Sequence, residues 1–216
     1  MRDAKIAAQV DKEWLVDLSG LEDIDVDGDG GDARGPVPTA RGRGRLVVLC
    51  GRSFSGKSTI ASWLREGLDG QVISFDAINE ERGLRGGEGI PVQDWAYTYD
   101  LAIDRVRQAL TAGLKVIVDD TSSPRFLRDG WRALAEDLRV SVVVVFVDAT
   151  LDVLRQRQLA NRSSGERQDV TDAVMTEHLA AFEAPESDED AVRVASDAAT
   201  PQQVVADVMD ALDRAR

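Results

Sequence analysis

Residues 51–58 read Gly51-Arg52-Ser53-Phe54-Ser55-Gly56-Lys57-Ser58, a complete G-x-x-x-x-G-K-S. An apolar run, Leu46-Val47-Val48-Leu49-Cys50, precedes it, and Thr59-Ile60-Ala61-Ser62-Trp63-Leu64 follows with helical spacing. A glycine-rich turn between a strand and a helix is the context that makes this pattern a phosphate-binding P-loop. The glycines let the backbone wrap an anion with its N–H groups inward, and the loop opens a helix whose free N–H groups and dipole favour negative charge. Gly51, Ser53, Ser55, Gly56, Lys57, Ser58 and Thr59 are the expected nucleotide-binding residues. Lys57 is expected to reach the β- and γ-phosphates of ATP, and Ser58 to offer its hydroxyl to Mg²⁺.

From residue 45 the sequence alternates strand and helix patterns. Strands are expected at 45–50, 71–75, 115–119, 140–147 and 191–196. Helices are expected at 57–68, 93–112, 124–138, 150–161, 170–182 and 201–214. Val142-Val143-Val144-Val145-Phe146-Val147 is apolar throughout, as a strand covered on both faces must be. Strands separated by helices imply right-handed crossovers and parallel pairing. The expected fold is α/β: a P-loop NTPase, with a five-stranded parallel sheet sandwiched by helices and a small Arg-rich lid. Ligands in such sheets bind beyond the carboxyl ends of the strands.

Those ends carry carboxylates. The second strand ends in Ser74-Phe75-Asp76, which places Asp76 to take the proton of a hydroxyl attacking a phosphate. The third reads Val116-Ile117-Val118-Asp119-Asp120-Thr121, an apolar strand ending in Asp, the arrangement that orients Mg²⁺. Neighbours on a strand point to opposite faces. Asp119 is preferred for the metal shell, with Asp120 and Thr121 toward the acceptor. Arg155, Arg157, Arg162 and Arg167 cluster around Asn161-Arg162-Ser163-Ser164-Gly165, a break in helical pattern that reads as a short lid. Lid arginines can neutralise charge on a transferred phosphoryl group. Arg162 is the first choice for that contact and Arg167 the second, while at least one of Arg155 and Arg157 is expected on a solvated helix face. Residues 77–95 are glycine-rich and expected to be a long loop near the acceptor, with Arg82, Arg85, Trp95 and Arg125 available to it. Core packing is the alternative for Trp95 and Trp131.

Residues 1–44 differ in kind. Ile6, Val10, Trp14, Leu15 and Leu18 fit a short amphipathic helix, and 22–44 read as an acidic Gly/Asp-rich linker. Asp25-Val26-Asp27-Gly28-Asp29-Gly30 copies half an EF-hand loop, but Pro36 stands where its bidentate Glu is needed. The chain therefore divides into an arm, 1–44, and a kinase domain, 45–216. One cysteine and one histidine leave no disulfide framework and no Cys- or His-rich metal site. No apolar stretch is long enough to span a membrane and no signal-peptide core is evident, so a cytoplasmic protein is expected. A net charge of −13 disfavours broad binding to nucleic acid.

Taken together, Gly51–Ser58, Ser74-Phe75-Asp76, Val116–Thr121 and the Arg-rich lid resemble the small P-loop kinases related to bacteriophage polynucleotide kinase. Zeta toxins, chloramphenicol phosphotransferase and seryl-tRNA kinase are more distant members of that class. The resemblance spans about 45–214 and implies a general base at Asp76 and a lid arginine at Arg162. Ser122 stands where that pattern usually has Asn. Phe182-Glu183-Ala184-Pro185 with Glu189 also resembles a stretch that follows the lid helix in these kinases.

The expected activity is transfer of the γ-phosphate of ATP to an acceptor hydroxyl. Acidity favours a small molecule; the resemblance favours a nucleic-acid 5′-end or tRNA. The alternatives are an ATPase switch or interaction protein without an acceptor, or a toxin-like kinase acting on a nucleotide sugar. No N-K-x-D and no L-S-G-G-Q is present, against a Ras-like GTPase and a transporter ATPase.

Overall fold

In a computed structural model, residues 44–84, 90–165 and 170–215 are described. The arm, its EF-hand-like stretch, Arg85 and Arg167 lie outside the described residues. Five strands form one parallel sheet: β1 (Arg45–Cys50), β2 (Gln71–Ser74), β3 (Lys115–Asp119), β4 (Ser141–Asp148) and β5 (Val192–Ala195), in the order β2-β3-β1-β4-β5. The helices are α1 (Lys57–Leu68), α2 (Phe75–Glu81), α3 (Val92–Thr111), α4 (Arg125–Asp137), α5 (Leu151–Ser164), α6 (Asp172–Ala181) and α7 (Pro201–Arg214).

The alternation of side chains along each strand divides the core into two layers. Val47, Leu49, Ile117, Val143, Val145, Val147 and Val194 pack with Ile60, Ala61, Leu64 and Leu68 of α1 and with Val204, Val208, Ala211 and Leu212 of α7. Helices α3 and α4 pack against the sheet as well, and Ala102, Val106, Leu110, Trp131 and Leu134 on them are buried. Trp131 is fully buried, its ring 5.3 Å from that of Tyr99 and 6.5 Å from that of Phe75. Its core reading therefore holds, while Trp95 is half-buried. From β1 the chain crosses toward β2, and from β3 it crosses back past β1 to β4. Loops thus diverge around the carboxyl end of β1, the place where such sheets bind ligands.

Hydroxyl caps start several helices. Ser74, Thr150, Thr171 and Thr200 each accept from the backbone N–H three residues on, at 3.3–3.4 Å. A cap of this kind contributes about 1 kcal/mol. The Ser74 cap corrects one expectation: β2 ends there, and Phe75 and Asp76 already belong to α2. Residues 77–81 are helical rather than loop, because Phe75, Ile78 and Asn79 bury one helical face. The expected break at 161–165 is also absent. Helix α5 runs to Ser164, the hydroxyls of Ser163 and Ser164 bond back to the carbonyls of Leu159 and Asn161, and Gly165 ends it at φ 65. No described helix is long and apolar enough to cross a membrane.

Leu64 is fully buried between α1, the sheet and α7. Leu64→Ala should lower stability by about 2–5 kcal/mol. In urea titration the midpoint should fall with an unchanged slope.

Candidate nucleotide and phosphoryl-transfer site

The P-loop is built by close approach. A Cβ on Gly51 would lie 2.6 Å from the Val147 carbonyl oxygen and 2.8 Å from Ser55 Oγ, so no larger residue fits. The Gly51 N–H donates to the Thr121 carbonyl at 3.1 Å, which ties the loop to the end of β3. Gly56 precedes α1 at φ 99, a conformation glycine adopts without strain. Ser53 stands in the turn closed by the Ser55 N–H on the Arg52 carbonyl, 3.1 Å, and Thr59 is exposed in the first turn of α1. Ser55 Oγ is buried without a hydrogen-bond partner among the described residues. Lys57 Nζ donates to the carbonyls of Gly51 and Arg52, each at 2.9 Å.

Three carboxylates act on the charge of that ammonium. Burial pushes the Lys57 pKa down, and Asp119, Asp120 and Asp76 pull against it in that order. Burial raises Asp119, opposed by Lys57 and by a hydrogen bond with the Ser58 hydroxyl. Burial raises Asp120 too, opposed by the N–H groups of Ser122 and Thr121. Asp120 Oδ2 accepts from Ser122 N at 2.8 Å and from Ser122 Oγ at 3.3 Å. The two adjacent aspartates thus part company: one reaches Ser58, the other closes its own turn. Asp76, exposed in the first turn of α2, completes the group.

The residues fit a nucleotide triphosphate with a divalent metal. The loop offers N–H groups, a lysine, a buried hydroxyl without a partner and a helix N-terminus, and the Ser58–Asp119 pair is the hydroxyl and carboxylate that P-loop sites use for Mg²⁺.

The described arginines have varied partners. Arg157 Nη1 donates to the carbonyls of Phe54 and Ser55 at 3.1 and 2.8 Å and to Ser196 Oγ at 3.0 Å, so this α5 residue braces the P-loop. Arg155 is exposed. Arg162 pairs with Asp172 at 2.9 Å and donates to the Val170 carbonyl at 3.0 Å, which fastens α5 to the start of α6. Arg82 is held by Asp94 at 2.9 Å, donates to Thr98 Oγ1 and lies over the Tyr97 ring. Arg125 pairs with Asp188 at 2.6 Å and Glu186 at 3.1 Å. The structure does not bring Arg82 or Arg125 to the three carboxylates.

Beside Gly56 a cavity of about 510 Å³ is lined by Phe54, Ser58, Thr59, Trp63, Arg157, Asn161 and Ser196 among others. Sequence reasoning missed Ser196 here and named Arg157 only among the lid arginines, not as a brace of the P-loop. The available signal was the spacing of Leu154, Arg157, Gln158 and Asn161, which places polar residues on an inward helix face.

Comparison with known proteins agrees with this geometry. The family model described as AAA domain matches residues 46–185. The chain belongs to that family. The uncharacterized protein Rv2004c of Mycobacterium tuberculosis is 31% identical over 126 residues, 54% of this chain and 25% of its own length, and the uncharacterized protein Mb2027c of Mycobacterium bovis matches equally. This chain thus aligns with about a quarter of the length of these relatives. A putative kinase from Chloroflexus aurantiacus shares the fold with a TM-score of 0.64 at 18% identity, covering 82% of this chain and 100% of that one. Chaetomium thermophilum Kti12 in complex with ADP-AlF3 gives 0.63 at 19%, covering 77% and 98%. The Mycobacterium tuberculosis APS kinase CysC, in complex with AMPPNP and APS, gives 0.59 at 21%, covering 80% and 99%.

Glu189 lies in the segment before β5. Burial acts against its carboxylate, but hydrogen bonds from Arg128, the Glu186 N–H and Arg132 hold its pKa down at about 2. A carboxylate depressed on folding stabilises above its unfolded value and stops doing so as pH falls through its folded one. Glu189→Gln should therefore be less stable than wild type at pH 7, and the gap should close between pH 4.5 and about 2. Denaturant midpoints measured across that range check it.

Proposed function

We propose that this chain is an ATP-dependent phosphotransferase that moves the γ-phosphoryl group of ATP to a hydroxyl of a small molecule. The observation that carries the reading is that β2, β3 and β1 lie parallel and side by side, so that Asp76, Asp119 and Asp120 fall at the same sheet edge as Lys57, whose charge all three favour. A switch that only binds nucleotide has no need of the exposed Asp76 in addition to a carboxylate paired with Ser58.

In this reading the P-loop N–H groups and Lys57 hold the β- and γ-phosphates. Ser58 and Asp119 would hold Mg²⁺, which when bound supplies charge neutralisation on the phosphate oxygens. Asp76 accepts the proton of the acceptor hydroxyl as its oxygen attacks the γ-phosphorus and the bond to the bridging β–γ oxygen breaks. Asp120 and Thr121 shape the acceptor side. Arg157 keeps the loop in shape, and Arg162 would have to leave Asp172 and the Val170 carbonyl to meet the charge on the transferred group. The cavity beside Gly56 is where the base of the nucleotide has room. A small acceptor is favoured over a nucleic-acid 5′-end because Arg82 and Arg125 are engaged by carboxylates of this chain and its net charge is −13. The kinship with polynucleotide-kinase-like enzymes and the cytoplasmic setting belong to the same reading.

Lys57→Ala removes the loop's fixed cation. ATP affinity, measured by calorimetry, should fall at least about 100-fold, on the scale of a lost charge-assisted hydrogen-bond pair. Equal affinity would overturn the nucleotide assignment.

Asp76→Asn keeps size and polarity but removes the basic carboxylate. Transfer of label from γ-labelled ATP to an acceptor found by screening metabolite pools, 5′-hydroxyl oligonucleotides and tRNA should fall by roughly 10²–10⁴. ATP affinity should stay within about twofold, since uniform binding is untouched. If wild type labels no acceptor and both forms hydrolyse ATP equally, the chain is a nucleotide-driven switch.

A further inference from the structure

The turn that follows Asp119 and the segment that follows α6 are joined by one buried ion pair. Arg128 of α4 and Glu189 have side chains each 1% exposed. Arg128 Nε and Nη2 donate to the two Glu189 oxygens at 2.7 and 2.8 Å. Its Nη1 donates to the carbonyls of Ser122 at 2.9 Å, Ser123, and Glu183 at 3.1 Å. Glu189 also accepts from Arg132 at 2.9 Å and from the Glu186 N–H at 3.0 Å. Two further bonds cross the same seam: Glu183 N–H to Ser123 Oγ at 3.1 Å, and Arg125 N–H to Glu183 Oε2 at 2.9 Å.

The turn held in this way has a left-handed residue that is not glycine, Ser122 at φ 41. Such a conformation persists only where its surroundings over-determine it. Here the Asp120 carboxylate takes the Ser122 N–H and Arg128 takes the Ser122 carbonyl. One residue earlier, the Thr121 carbonyl accepts the Gly51 N–H of the P-loop. Bonds therefore run from the first P-loop glycine through Thr121 and Ser122 to Arg128, and on to Glu183 and Glu189 beyond α6.

A buried ion pair is a poor source of net stability, since apolar residues of similar volume often serve as well or better. What an arginine fork supplies is direction, because its donors lie in one rigid plane. We propose that Arg128 and Glu189 are a positioning pair. They set the Asp119-Asp120-Thr121-Ser122 turn against the P-loop and fasten the segment that follows α6 to that turn. The consequence for catalysis rests on the phosphotransferase reading; the placement of the turn does not.

The test is amide hydrogen exchange on the full chain without nucleotide. It compares wild type with Arg128→Lys, which keeps the charge and loses the fork, and with Arg128→Met/Glu189→Leu, which removes both charges. In both variants, amides of 120–123 and of Gly51 should exchange at least about tenfold faster, while strand amides of 46–49 and 142–146 keep the wild-type rate, the mark of local rather than global opening. Unchanged exchange in the turn, or acceleration shared by the strands, would overturn the proposal. If Arg128→Lys does not fold, the double variant decides; if neither folds, the pair serves folding and the positioning role is wrong. A second measurement separates the two readings. ATP is titrated with and without Mg²⁺, and Arg128→Lys should lose the Mg²⁺-dependent gain in affinity while metal-free affinity stays within about twofold of wild type. Wild type that does not bind ATP would sink the phosphotransferase reading and leave the exchange result standing. A full Mg²⁺ gain in Arg128→Lys would show that the pair does not set the metal-side carboxylate.

Discussion

A buried ammonium without partners is among the costliest groups a protein can hold. Lys57, half-buried, offsets its share of that cost with two carbonyls of its own loop and with the charges of three aspartates. Those aspartates come from the ends of β3 and from the first turn after β2, while the lysine follows β1. They can meet only if the three strands lie side by side and end at the same edge. The order β2-β3-β1, all parallel, provides this. The sheet is then closed on one face by α1 and α7, and the other two strands extend it beyond β1.

Within this frame, residues of one chemical type do different work according to what lies opposite. Asp119 and Asp120 are neighbours in sequence, and both are raised by burial. One is held by the Ser58 hydroxyl at the start of α1. The other accepts from Ser122, which bends the chain away from the strand. The arginines divide in the same manner. Arg157 finds loop carbonyls and becomes part of the P-loop's wall, whereas Arg82 and Arg125 find carboxylates and tie helix to segment. An exposed pair of the latter kind contributes about 0–1 kcal/mol. Their value here is in holding α2 to α3 and α4 to the segment before β5.

The P-loop, the five strands and nearly all helix positions were legible because each rests on a local pattern: glycine spacing, continuous apolar runs, and 3.6-residue periodicity. The end of β3 at Asp119 was legible too, since a strand's carboxyl end can be read from where its apolar run stops. Errors fell where a short-range contest decides. Phe75 read as strand but begins a helix capped by Ser74, because it gains burial against Tyr99 and Trp131 by turning helical at once. Asn161–Ser164 read as a break, yet the serine hydroxyls satisfy carbonyls of the preceding turn and the helix continues.

The sequence by itself determined that the chain would build a parallel α/β sheet with a phosphate-binding loop, because those features depend on residues within a few positions of one another. Only the tertiary structure decided which arginine braces the loop, which of two adjacent aspartates turns toward Ser58, and that Arg128 meets Glu189 across 61 residues of chain. Such pairings depend on direction and distance after the sheet has closed. A guanidinium or a carboxylate takes whichever counterpart the packed helices bring within about 3 Å, and spacing along the chain carries no record of that choice.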